Sequence, residues 1–513
     1  MVDNLPLIHA PEKDILMYLT TLSADLLTAD ADTLLIGLAE GESHPALDSA
    51  TGGAFADQLA AAEFTGKTGQ TATVFPRGGG LTAKRVVVVG LGKPDALTPD
   101  GIRRAAGSAL GRARALKSKK AAAAIFGGGS VPAPVAAGMT AEGLLMAAYQ
   151  YHGQKSGEPP TESPESVALH LPTDLSDADR ITYESEISTA RAFAAANHRA
   201  RTLTNLPPNI CTPTYLADVA AEIAAAGNLR LEVLERGQME SLKMGALLGV
   251  TRGSATPPKF IVLEHAPERA NEGRTLVLVG KGITFDTGGY SIKTADGMVA
   301  MKNDMAGGAA VLSAMEAIAT LKVPRHVVGI VPACANMISG EAVLPSEVLT
   351  ASNGTTIEII STDAEGRLIL ADALVYAARF KPAAVVDIAT LTGSMSVALG
   401  NLAAGFFSTD TALQAALSGA GEATGERLWP MPLYPEYEKA LESKTADLKN
   451  SSGGRYGGAC VAALFLKRFT NYPAWAHIDM AGVASEGPEN PILPGGGATG
   501  YGARLLTELA RRG

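Results

Sequence analysis

Two segments of the chain concentrate side chains that can do chemistry together. VGKGITFDTGGYSIKTADGMVAMKNDMAGG, residues 279–308, carries Lys281, Asp286, Lys293 and Asp304, and STDAEGRLILADAL, residues 361–374, carries Asp363, Glu365 and Arg367. Brought into one cleft, four carboxylates raise one another's pKa strongly unless cations lie between them. Two divalent metals resolve that, and hard oxygen ligands suit Mg²⁺, Mn²⁺ or Zn²⁺. Each side chain also has a plainer use. Asp286 before Thr287-Gly288-Gly289 can be a turn residue, Asp304 can cap the helix that follows it, and Asp363 and Glu365 can face a helix N-terminus. Lys281 and Lys293, taken singly, read as surface lysines. Only the joint pattern favours a metal centre.

Elements must hold these segments together. Each begins just past an apolar run, TLVLV or TTIEII, and in open α/β sheets sites assemble where strands end. In the N-terminal third, strands are predicted over 34–38, 71–75, 85–91 and 121–126, with a helix over 101–117. GEPPTESPES, residues 157–166, has linker composition. A helical pattern from about Ser176 to Leu203 then reads as a connection between domains. Further strands are predicted over 231–234, 259–264, 276–279, 327–331, 356–360, 384–388 and 476–479, and helices over 306–321, 368–380 and 461–469. This alternation predicts an α/β protein of two domains. A smaller N-terminal α/β domain spans 1–175, a connecting helix 176–204, and a larger α/β catalytic domain with a mainly parallel sheet 205–513.

At about 150 residues per domain, the length of 513 residues is consistent with two to four domains. Net charge is −9 and 46% of residues are hydrophobic, which excludes collagen-like, disulfide-scaffold and wholly disordered chains. Cys211, Cys334 and Cys460 are too few and scattered for a disulfide framework or a thiolate zinc site. The first charged residue is Asp3 and the first basic one Lys13, with no apolar signal core after them, so a cytoplasmic location is expected. Residues 121–141 are uncharged, but Gly127-Gly128-Gly129, Pro132 and Pro134 argue for a buried strand followed by a loop, not a membrane span.

Other motifs fail. VVVVGLGK, residues 86–93, lacks the third glycine of a dinucleotide fingerprint, and neither HExxH nor GxSxG occurs. Two rival functions survive: two-metal phosphoester hydrolysis, which uses the same carboxylate logic, and DNA binding through IRRAAGSALGRARALKSKK. That run holds Arg103, Arg104, Arg112, Arg114, Lys117, Lys119 and Lys120 but no aromatic residue for stacking, so a solvated basic helix face is the expected reading and nucleic acid is not the expected partner.

The joint pattern resembles the leucine aminopeptidase (cytosol aminopeptidase) family of dinuclear metallopeptidases. Its signature NTDAEGRL is matched by Ser361-Thr362-Asp363-Ala364-Glu365-Gly366-Arg367-Leu368, its GKGITFD…GG-x-S-I-K block by Gly280 to Lys293, and its acidic ligand before a glycine-rich helix start by Asp304 in NDMAGG. ATLTGSMSVALG (389–400), AHIDMAGVA (476–484) and GATGYGARLL (497–506) extend the similarity, which runs from about Thr202 onward. Ser361 replaces the usual Asn, Thr287 the commoner Ser, and Pro345-Ser346-Glu347 the usual Pro-Gly-Asp; none is an implied ligand.

The resemblance implies a macro-like N-terminal domain and a homohexamer. It implies two divalent ions, Mn²⁺ or Zn²⁺, bridged by Asp286 and Glu365. Asp363 would complete one site, and Lys281 and Asp304 the other. Lys293 and Arg367 would be catalytic, with bicarbonate at Arg367, while Met301, Thr390, Leu391, Thr392 and Gly393 would hold the substrate. The reaction would be release of N-terminal residues, with leucine-type preference, from peptides with a free N-terminus by a metal-bridging water. As a ligand Lys281 must be a neutral amine, which at pH 7 costs about 4–5 kcal/mol against its reference pKa and needs adjacent dications to offset it.

Overall fold

Residues Arg85–Gly92 read RVVVVGLG and are buried along nearly their whole length, a run that is stable only where helices cover both faces of its sheet. The computed structural model describes residues 17–512 except 79, 128–130, 158–163, 268–273, 455, 486, 488 and 489. The chain divides into two units, Met1–Ala194 with Glu489–Gly495, and Ala195–Pro488 with Gly496–Gly513. The division falls inside the helix Asp177–Asn205.

In the first unit, strands β1 (Tyr18–Leu22), β2 (Thr33–Ala39), β3 (Thr71–Val74), β4 (Arg85–Gly92), β5 (Lys120–Ala123) and β6 (Ser166–His170) form one sheet in the order β1-β6-β5-β2-β4-β3. Only the β3–β4 pair is antiparallel. Side chains alternate between two apolar layers. Leu35, Val87 and Val89 pack with helices Pro99–Ala115 and Ala133–Ala147, while Leu34, Ile36, Val86 and Val88 pack with Ala54–Ala61 on the other side.

Two expectations need correction here, and two strands lie outside the predicted set. The segment after β5 is not all loop, because Ala133–Ala147 is a helix. Pro132 is its N-cap and Pro134 lies in its first turn, where a missing N–H breaks no helical bond. Strands β1 and β6 had no strong pattern: β1 reads YLTTL at the sheet edge, and β6 follows the linker, of which residues 158–163 lie outside the described residues. The basic run is not a uniformly solvated face. Arg103 is buried with its Nε on Glu142 at 2.8 Å, Arg104 pairs with Asp100 at 2.9 Å, and Lys120 pairs with Asp30 at 2.9 Å. Arg112 donates to Thr73 Oγ1 and Arg114 to the Ala147 carbonyl, both at 3.0 Å.

The second unit contains β7 (Arg230–Leu234), β8 (Lys259–His265), β9 (Leu276–Gly280), β10 (Gly282–Asp286), β11 (Val327–Asn336), β12 (Val348–Thr350), β13 (Thr356–Glu358), β14 (Ala384–Ala389), β15 (Ala404–Ser408), β16 (Leu428–Pro430), β17 (Leu448–Lys449) and β18 (Ala474–Asp479). The main sheet runs β16-β15-β18-β14-β9-β11-β8-β7, with β10 paired to β11. Its centre, from β18 through β14 and β9 to β11, is parallel. Leu276, Leu278, Val386 and Ile388 face a core with helices Pro213–Gly227 and Ala306–Thr320. Val277, Val279 and Val385 face the opposite core, with Gly366–Ala377 and Gly458–Lys467.

The predicted strand over 356–360 is not part of that sheet. Its ordered part, β13, sits in a small separate sheet between antiparallel β12 and parallel β17. Only Ile357 of β13 is buried, with half-exposed Thr356 and Glu358 beside it, so it lacks the two apolar faces a central strand needs. No helix among the described residues is long and apolar enough to cross a membrane. All three cysteines are free and buried.

Candidate metal centre

The parallel strands of the main sheet end at a common edge, and the reactive side chains gather there. β9 and β10 are two pieces of a strand interrupted at Lys281, both running parallel to β11. The Lys281 backbone is tied on both sides, its N–H donating to the Ile388 carbonyl at 3.1 Å and its carbonyl accepting from Gly308 N–H at 2.7 Å. Its side chain is thereby directed into the site. Asp286 ends β10, and its Oδ1 accepts the Gly288 N–H at 2.8 Å, so the turn role foreseen for it is real but not its only contact. Gly288 itself has φ +84°, and a Cβ there would lie 2.9 Å from Asp363 Oδ1; only glycine fits.

Asp286, Asp363 and Glu365 each bring a carboxylate oxygen to within 4.8 Å of the others. Lys293 Nζ lies 2.8 Å from Asp286 Oδ2 and 2.5 Å from Asp363 Oδ1. Lys281 Nζ lies 2.8 Å from Asp304 Oδ1, 2.9 Å from Glu365 Oε1 and 3.0 Å from the Thr390 carbonyl. Two ammonium groups thus stand among four carboxylates. The surface reading of the lysines fails, since Lys281 is 3% exposed. The capping reading of Asp304 fails, since Met305 is the N-cap of Ala306–Thr320. Glu365 does stand at a helix start, as the N-cap of Gly366–Ala377 without a side-chain bond, so its dipole role is real but not its only contact.

Burial and mutual repulsion shape the charges. Burial, then the neighbouring Glu365 charge, pushes Asp286 up to about 6 against both lysines. Burial also drives Asp304 well above its ordinary value, with Lys281 opposing and Glu365 and Asp286 reinforcing. For Lys281, burial disfavours the ammonium, but Asp304, Glu365 and Asp286 outweigh it and the pKa rises. Burial brings Arg367 down to about 10, against the attraction of Glu365 and Asp479.

The donor set fits metal ions. Among the described residues, Asp304 Oδ2 and Glu365 Oε2 are buried without a hydrogen-bond partner, an arrangement that is unfavourable unless a cation satisfies it. The site opens into a cavity of about 840 Å³ whose lining includes Met301, Arg367, Thr390, Leu391, Thr392 and Gly393. All residues expected at the site therefore meet at one place.

Two asparagines were not foreseen. Asn336 Nδ2, at the end of β11, donates to Asp286 Oδ1 at 2.8 Å and to the Thr362 carbonyl at 3.0 Å, joining the two reactive segments. Asn450 Oδ1 accepts from Ile360 N–H at 2.8 Å, its Nδ2 donates to the Ser361 carbonyl at 2.6 Å, and its own carbonyl accepts from Arg367 Nη1 at 2.8 Å. Neither stands in a sequence motif with chemistry of its own, so no local signal marked them.

The cytosol aminopeptidase family's catalytic-domain model matches residues 198–507, and its N-terminal-domain model matches residues 35–158. The chain belongs to the cytosol aminopeptidase family. It is 42% identical over 506 residues to a probable cytosol aminopeptidase of Geobacter sulfurreducens, covering 96% of this chain and 99% of that one. A probable cytosol aminopeptidase of Roseiflexus castenholzii is 42% identical over 498 residues, with 96% and 99% covered. Among solved structures, a variant of tomato leucine aminopeptidase superposes with TM-score 0.85 at 33% identity, covering 97% of each chain. The bottromycin maturation enzyme BotP in complex with Mn gives TM-score 0.82 at 33% identity, covering 94% of this chain and 99% of that one. As a member of the cytosol aminopeptidase family, the chain is a metal-dependent aminopeptidase, a hydrolase of the leucyl aminopeptidase type acting on peptides. Neither phosphoester hydrolysis nor DNA binding is favoured by these matches.

Proposed function

We propose that Asp286 and Glu365 bridge two divalent ions, that Asp363 completes one site, and that Lys281 and Asp304 complete the other. The buried, unpartnered oxygens of Asp304 and Glu365 carry this reading. Bound there, two such ions supply Lewis acidity and water activated near neutral pH. The protein's own groups do the rest. Lys293, less buried than Lys281, places a positive charge where the amide oxygen gathers negative charge. Arg367 is anchored by Asn450 while its Nε lacks a hydrogen-bond partner among the described residues; that free donor suits a small anion such as bicarbonate as a general base. The turn Thr390-Leu391-Thr392-Gly393 holds the substrate backbone, and Met301 borders the pocket for a leucine-type side chain.

Mn²⁺ or Zn²⁺ are the proposed ions, BotP being a relative solved with Mn. Exhaustive demetallation is expected to abolish hydrolysis of leucine p-nitroanilide, and each ion to restore it to a different level. Full turnover by demetallated protein, or faster turnover of p-nitrophenyl phosphate, would refute the proposal. The proposed assembly is a cytoplasmic homohexamer, which light scattering would report as the mass of six chains.

Gly366 offers a geometric check. A Cβ there would fall 2.5 Å from Lys281 Cε and 2.6 Å from its Nζ. The added methyl would push the Lys281 amine from its place beside Asp304 and Glu365 toward the cavity it lines, so Gly366→Ala is expected to weaken metal binding or activity by about 10–100-fold, the usual cost of disturbing a ligand's support. Titration with Mn²⁺ measures it, and wild-type affinity would exclude Lys281 as a ligand in this geometry.

A further inference from the structure

We infer that Asp479 is a positioning residue, holding the turn that carries Thr390 against the Lys281–Asp304 half of the metal centre. Strands β14 and β18 run parallel with Ala389 opposite Asp479, and past Ala389 the chain turns through Thr390, Leu391 and Thr392. Asp479 is fully buried. Its Oδ1 accepts the N–H groups of Leu391 at 3.2 Å, Thr392 at 3.4 Å and Ala481 at 3.2 Å, and its Oδ2 accepts the Thr392 hydroxyl at 2.6 Å. A buried carboxylate must be saturated with donors or it is strongly destabilising. Here three of the four donors belong to one turn, so the carboxylate and the turn determine each other's place.

That turn in return touches the proposed ligands of one ion only. The Thr390 carbonyl accepts from Lys281 Nζ at 3.0 Å, and Thr390 Oγ1 donates to Asp304 Oδ1 at 2.7 Å. The Asp286–Asp363 side is held instead by Asn336, Gly288 and Lys293. The carboxylate of Asp479 therefore acts on one half of the centre through the turn, and replacing it is predicted to be selective. Lower on the same face of β18, His477 Nδ1 and Trp475 Nε1 engage Asp387 at 2.6 and 2.7 Å. These contacts secure the strand without touching the turn.

This inference rests on the ligand assignment proposed above, and Mn²⁺ titration of the demetallated full-length chain separates the two. Wild type is expected to take up two Mn²⁺. Asp479→Asn, which replaces an acceptor oxygen by a donor nitrogen, should keep one ion at wild-type affinity and weaken the other about 10–100-fold. At saturating Mn²⁺ its KM for leucine p-nitroanilide should rise more than its kcat falls, because the same turn lines the cavity. Thr392→Val deletes the hydroxyl, which donates to Asp479 and accepts the Met395 N–H at 3.2 Å as N-cap of the helix Gly393–Leu399, while keeping both backbone donors of the turn. It should weaken the same ion to a smaller degree, and it carries the test if the Asp479 variant does not fold. His477→Gln should lower the melting temperature while leaving both affinities intact. Two ions at wild-type affinity in Asp479→Asn, or in Thr392→Val if only that variant folds, would overturn the inference, as would equal weakening of both ions. Retention of both ions by Lys281→Arg would instead overturn the ligand assignment.

Discussion

Lys281→Arg is expected to leave the protein folded, to remove one of its two ions, and to lower kcat/KM for leucine p-nitroanilide by about 10³-fold or more, since losing even one stabilising group in a site of this kind costs 10²–10³-fold. Arginine separates two uses of this position. Lys281 Nζ stands between Asp304 and Glu365, at 2.8 and 2.9 Å, where an ammonium would pair with both. A guanidinium retains that charge and its pairing with carboxylates, so a purely structural ion pair tolerates the change. A metal ligand must instead offer a lone pair, and arginine stays protonated at any usable pH. Metal analysis beside steady-state kinetics decides: an active variant with both ions would show that Lys281 only pairs with its neighbours.

Lys293→Met is expected to behave in the opposite way. It should retain both ions yet lose about 10²–10³-fold in kcat, the usual effect of deleting one oxyanion-stabilising group. Its effect on the fold depends on metal. Without ions, Lys293 counters the burial that raises Asp286, standing 2.8 Å from that carboxylate and 2.5 Å from Asp363. Deleting it leaves two carboxylates crowded with no cation between them, so the demetallated variant should melt below demetallated wild type at neutral pH. Metal ions supply the missing charge, and the loaded proteins should melt together. A variant that loses an ion, or keeps wild-type kcat, would reassign Lys293 from chemistry to ligation or to structure.

Much of the architecture was readable from local patterns because its central strands are apolar on both faces. TLVLV and RVVVVGLG can only be covered strands, and each is one. Patterns misled where a residue's role depends on its position within an element. Pro132 and Pro134 looked like interruptions but start a helix. TTIEII looked like a core strand, yet its strand, Thr356–Glu358, pairs in a small side sheet. Gly282–Asp286 was hidden inside the reactive segment, because two strands separated by the single residue Lys281 have no turn signal between them.

The sequence by itself determined the chemistry on offer: which carboxylates and lysines exist, their order in two compact blocks, and the strands and helices that carry those blocks. Residue types limit what can bind metal, and periodicity limits what can be buried, so both are legible without coordinates. Only the tertiary structure decided how the groups meet. Asp304 reaches Glu365 through Lys281, Asn336 joins Asp286 to Thr362, Asn450 anchors Arg367, and Asp479 holds the turn at Thr390. Each of these contacts links residues distant in sequence whose backbones come together only once the parallel strands end side by side. A buried polar group takes its partner from whatever folding places within hydrogen-bond reach, and no spacing along the chain encodes that.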